Sequence, residues 1–174
     1  MNAIRISVIL IALLAPNILW SQQREKEELP SFASYEVTET FQGAKARLLL
    51  QPHEGFKKRL KEVYSRPPNF AGHYVLGDWG CGAACRFVAI IDAQTGRIID
   101  GIRISDWASS ESFPCSIGNP MEFRLNSRLL IVYGSLDEKR KGIYYFAMEP
   151  KGLKRIEAIE GIEEIKEYKG CHHP

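Results

Sequence analysis

Two cysteines four positions apart, Cys81 and Cys85, stand in the run Gly77-Asp78-Trp79-Gly80-Cys81-Gly82-Ala83-Ala84-Cys85, with His73 close upstream. The first chemistry to weigh is that of a reactive thiol pair tuned by His73 and Asp78. A nucleophilic thiolate needs a lowered pKa, from a helix N-terminus or a neighbouring cation, and the familiar redox motif places two residues between its cysteines. Here there are three, and Arg86 is the adjacent cation. The spacing therefore predicts a structural bridge, with residues 82–84 as a tight hairpin loop that sets the two cysteines across from each other. The chain has four cysteines, the others being Cys115 and Cys171, and an even number suits a disulfide framework. Of the three possible connectivities, Cys81–Cys85 with Cys115–Cys171 is favoured. The second bridge closes a loop of more than fifty residues, a constraint on the order of 4 kcal/mol in the chain-entropy view.

Metal binding has two candidate ligand sets, Cys171-His172-His173 at the C-terminal end and His53 with His73 and Asp78. The first is too local to close a tetrahedron, and oxidation of Cys171 removes its thiolate. No metal or other cofactor is therefore expected. Hydrolysis requires a nucleophile, a base and an orienting acid. Ser105, Ser109, Ser110 and Ser112 are available, but none stands in a nucleophile-elbow sequence, and His73 at the start of a strand reads as a hydrogen-bonded structural residue. No catalytic residue is assigned. Recognition is the remaining chemistry: His73, Asp78, Trp79 and Trp107 on glycine-rich turns are suited to a displayed binding patch, although Trp79 could equally cover the disulfide and the core.

The elements that must carry these residues are mostly strands. Apolar alternation predicts strands over 35–41 and 47–51, then over 73–79 and 87–92 on either side of the cysteine turn. Gly96 closes the next turn, into 97–104. A long loop follows over 105–120, and a second meander takes in 122–125, 129–133, 143–148 and 153–159, with a charged tip at 137–141. One helix is predicted over 56–65, where Phe56, Leu60, Val63 and Tyr64 share a face and Pro67-Pro68 ends it. The tail 162–168 suits a short helix or a last strand. The fold class expected is α+β, mainly β, with antiparallel meanders and one packed helix.

Arg5 followed by the apolar run 6–15 and a polar stretch has the layout of a secretory signal, too short to span a bilayer, which needs about 20 residues. Residues 1–21 are read as that signal, 22–33 as a mobile N-terminal arm and 34–174 as a single β-rich domain. Of the 174 residues, 153 remain after cleavage, and losing Arg5 takes the net charge from +2 to +1. Such a balance gives no footprint for nucleic acid, which asks for a basic stripe. No membrane span is expected once the signal is removed.

The run Asn69-Phe70-Ala71-Gly72-His73-Tyr74, the Gly77-to-Cys85 segment, Ile90-Ile91-Asp92-Ala93-Gln94-Thr95-Gly96 and Asn126-Ser127-Arg128-Leu129-Leu130-Ile131-Val132 together resemble a family of small exported bacterial proteins of uncharacterised function. The likeness covers most of 35–150. It implies a periplasmic or secreted single-domain protein and no particular activity. It lends no support to the Cys115–Cys171 pair. The reading reached is a binding module of the cell envelope, with a protein or an envelope ligand as partner. The alternative is a small periplasmic enzyme or thiol-redox protein using Cys81 and Cys85 with His73 and Asp78.

Overall fold

The structure is a computed structural model that describes residues 28–107, 119–136 and 140–161. The expected signal at 1–21, the Cys115–Cys171 bridge, the Cys171-His172-His173 cluster and the 162–168 tail all lie outside the described residues. So do Ser109, Ser110 and Ser112.

The strands run β1 (Tyr74–Gly82), β2 (Cys85–Asp92), β3 (Ile98–Ser105), β4 (Met121–Phe123), β5 (Leu129–Leu136), β6 (Lys141–Glu149) and β7 (Gly152–Glu160). They form one antiparallel sheet in the order β1-β2-β3-β5-β6-β7, with β4 added to β5. One helix, α1 (Lys57–Tyr64), is preceded by a 3-10 turn at Glu54–Phe56. Among the described residues the architecture is thus mainly β with a single α-helix, as the alternation and the amphipathic stretch at 56–65 require.

The sheet has two halves joined narrowly, since β3 and β5 pair at Ile104↔Leu136 and Ser105↔Ser135. Side chains alternate across each strand, and the alternate set Leu76, Val88, Ile90, Leu130, Val132, Tyr144 and Phe146 meets in one central core. Apolar residues on the opposite faces need other covers. Over β1 and β2 the cover is α1, whose Leu60, Val63 and Tyr64 pack on Val75, Ala89 and Ile91. Over β5 and β6 it is the N-terminal segment, where Phe32 joins Leu129, Ile131, Tyr133, Ile143 and Tyr145.

Three expectations need correction. The mobile arm expected over 22–33 does not hold for its described part: Phe32 is buried, Ser127 Oγ donates to its carbonyl at 2.9 Å, and the Arg124 guanidinium lies 4.3 Å over its ring. The strands expected over 35–41 and 47–51 are instead an extended strap. Its apolar residues are divided between two clusters, Tyr35 going to the outer one and Phe41, Leu48 and Leu50 to the helix-side one. Its backbone is tied at separated points, Val37 N to Asn126 O, Phe41 N to Gly72 O, Ala46 N to Ala93 O and Leu49 N to Gly96 O, so no ladder forms. Finally, Phe56 does not join the buried face of α1; it precedes the helix and is 45% exposed.

Candidate functional site

The β1/β2 hairpin organises the candidate residues. Its register runs from Tyr74↔Asp92 through Trp79↔Phe87, with a shift between Gly80 and Gly82. That shift brings Cys81 opposite the start of β2, where its Cα lies 5.1 Å from that of Cys85 and the disulfide closes. Ala84, with φ 47°, holds a left-handed conformation that favours glycine, and the covalent clamp around the turn offsets its cost. A loop this short implies a modest chain-entropy gain, about 2 kcal/mol. The double variant Cys81→Ser/Cys85→Ser is expected to lose about that much in a urea melt; an unchanged midpoint would contradict the structural role.

Alternation along β1 sends Asp78 and Trp79 to opposite faces. Asp78 Oδ2 is 3.4 Å from Arg86 Nη1, and the Arg86 guanidinium in turn stacks 5.4 Å over the Trp107 ring. These three form one row. Trp79 faces α1, where its ring sits 5.7 Å from Phe56 and 6.1 Å from Phe87, with Phe56 and Phe87 themselves 5.7 Å apart.

His73 belongs to neither group. It sits at the other end of β1, eight residues from Cys81 and hence roughly 26 Å away along the strand. Its Nε2 is 3.9 Å from Asp92 Oδ1, and its ring packs 4.1 Å from that of Tyr74. The Asp92 carboxylate is occupied in the β2–β3 turn, accepting from Gln94 N at 2.8 Å and Thr95 Oγ1 at 2.7 Å. Burial, followed by the charge of Asp92, raises the Tyr74 hydroxyl above its ordinary pKa. The geometry therefore keeps the His73 imidazole away from the cysteines. Ser105 Oγ donates to Ser135 O at 3.4 Å, in the joint between the two halves of the sheet. Among the described residues no three His, Cys, Asp or Glu side chains gather as a metal site, and none of the hydrogen bonds joins a serine to a histidine.

One concave surface stands out beside the ring triad. Because α1 packs on β1 and β2, the same face of β3 is left without a helix over it among the described residues. The facing pair Ala89↔Gly101 makes a floor with almost no side chain. The result is a groove of about 420 Å³, walled by Phe56, Trp79, Phe87, Leu60 and Ile98, with His53 and Arg103 among its polar groups. Of the four residues expected to form a binding patch, Trp79 alone lines it. Sequence reasoning does not reach Phe56 or Phe87. The hairpin register was a usable signal for Phe87, since a turn centred on Ala83 places it across from Trp79; Phe56 depends on how the helix docks.

No helix among the described residues is long and apolar enough to cross a membrane. Comparisons with protein-family models, with curated proteins and with solved structures each give no match, so the chain's own geometry is what bears on its function.

Proposed function

We propose that this chain is an exported binding module and that the groove beside Trp79 takes a small ligand with an apolar body. The observation that carries the reading is the groove itself. Its volume of about 420 Å³ lies in the range of small-molecule sites, and its make-up follows their pattern of aromatic and aliphatic walls with a few polar groups that orient the ligand. Phe56 supports this directly. A phenylalanine left 45% exposed at the mouth of an aromatic triad has apolar surface still to bury, worth about 25 cal/mol per Å² covered. Export is supported by the signal layout of 1–21, by the resemblance of the 69–96 segment to small exported proteins, and by the Cys81–Cys85 bridge, which suits an oxidising compartment.

The test uses anilinonaphthalene sulfonate as a small apolar-bodied probe. The folded protein is expected to bind it saturably at one site. Phe56→Glu, which changes an exposed wall residue, and Trp79→Ala, checked for retained fold by circular dichroism, are each expected to weaken binding about tenfold or more, the loss of about 1.4 kcal/mol of contact. Equal affinity in both folded variants, or no saturable binding by the wild type, would overturn the reading.

A further inference from the structure

A second cleft lies on the other side of α1, along the free edge of β1. Among the described residues β1 is an outer strand, so the backbone groups that do not pair with β2 face outward. Near the start of the strand the chain covers them itself. Tyr74 N donates to Phe70 O at 2.9 Å, and Phe70 N and Asn69 N donate to Tyr74 O at 3.1 and 2.9 Å. The Asn69 amide then clasps Leu76 on both sides, its Oδ1 accepting from Leu76 N at 2.8 Å and its Nδ2 donating to Leu76 O at 2.9 Å. By the two-residue period, Asp78 and Gly80 present the next outward groups. No described backbone group outside the β1/β2 ladder bonds to either residue.

Those groups open on a polar cleft of about 230 Å³ whose walls include Arg59, Glu62, Arg66, Asp78, Gly80 and Arg86. Two ion pairs cancel within it, Arg59 with Glu62 at 3.3 Å and Arg86 with Asp78 at 3.4 Å. Arg66 has no ion-pair partner among the described residues, so the cleft keeps one net positive charge. Its guanidinium is held over Gly77, where an added Cβ would lie 3.3 Å from Nη1 and 2.8 Å from Val63 Cγ1. The missing side chain at position 77 makes room for both α1 and this cation.

We propose that the cleft binds the C-terminal carboxylate of an extended peptide: the carboxylate sits against Arg66, and the peptide backbone pairs with the outward groups of Asp78 and Gly80. Guanidinium and backbone N–H groups together are the usual donors for a terminal carboxylate, and an uncovered stretch of edge strand beside them selects a chain rather than a free acid. The site shares Trp79 alone with the apolar groove among the lining residues, and it stands whether or not the groove takes a ligand.

The experiment titrates the 15N-labelled protein with N-acetyl-Ala-Val-Ala-Val as the free acid, with the same peptide as its C-terminal amide, and with sodium acetate. The free acid is expected to shift the Asp78 and Gly80 amide signals saturably. Amidation of the peptide, or Arg66→Gln in the protein, is expected to weaken binding about tenfold, and Arg66→Gln leaves affinity for anilinonaphthalene sulfonate unchanged. Equal binding of acid and amide, or indifference to Arg66→Gln, would overturn the site. Acetate matching the peptide in affinity would overturn its assignment to a chain end.

Discussion

Phe70→Ala is expected to lower the unfolding free energy by about 4 kcal/mol, the middle of the range for removing a buried aromatic ring. Phe70 is fully buried in the central core, with ring contacts to Tyr74 at 6.4 Å and, edge-on, to Phe123 at 6.2 Å. The cost of such a truncation depends on how far the surroundings can collapse into the space, and here they are pinned. Ala71 N donates to Arg124 O and Ser127 O, Gly72 N to Leu125 O, and Phe41 N to Gly72 O, so the segment carrying Phe70 is tied to the strap, to β1 and to the turn before β5. Native domains have about 5–15 kcal/mol in hand, so the variant gives up a large part of its stability. Denaturant melts of wild type and Phe70→Ala measure it; a loss below about 1.5 kcal/mol would mean that the loop relaxes into the cavity.

The second large effect is at Gly96, in the β2–β3 turn. Its φ is +73°, and a Cβ built there would lie 2.0 Å from the carbonyl oxygen of Arg47. The obstacle is backbone and cannot rotate away. It is also fixed in place, since Leu49 N donates to Gly96 O at 2.8 Å and Ala46 N to Ala93 O at 2.9 Å. Gly96→Ala must therefore lift the strap off the turn, and left-handed strain plus overpacking together come to about 3 kcal/mol. Leu48 and Leu50, which pack against the α1 cluster from that strap, are then displaced with it. Hydrogen exchange gives the specific signature: the Leu49 and Ala46 amides lose protection, while the β5 and β6 ladder amides keep theirs relative to global stability. Unchanged protection at Leu49 would contradict the strap's dependence on this glycine.

What the sequence makes legible follows from how local the causes are. Residues 74–92 read correctly because the alternation, the Cys81/Cys85 spacing and a turn centred on Ala83 all depend on near neighbours. The second meander reads well for the same reason, with β5 and β6 starting and ending within a few residues of the apolar runs that signal them. The strap misleads because its alternation at Tyr35, Val37, Glu39 and Phe41 resembles a strand while Tyr35 answers to the outer cluster and Phe41 to the helix-side one. Phe32 is covert for a related reason: a lone aromatic in a charged stretch shows no period, yet the outer face of β5 and β6 needs covering. Of the candidate site, Trp79 is visible as an aromatic on a glycine-rich hairpin. His73, Asp78 and Trp107 fall away from the groove because strand alternation and strand length separate them, which no composition of the segment reveals. Phe56 and the small floor at Ala89 and Gly101 become a site through the docking angle of α1, a tertiary property.

The most direct measurement is methyl-resolved NMR of selectively labelled protein during titration with anilinonaphthalene sulfonate. Leu60, Val88, Ile98, Ile99 and Ile102 line the groove, whereas Leu129, Ile131 and Ile143 lie in the cluster under the N-terminal segment. Saturable shifts confined to the first set, lost in Phe56→Glu, are the predicted result. Shifts centred on the second set, or spread evenly over both, would contradict recognition at the Trp79 groove.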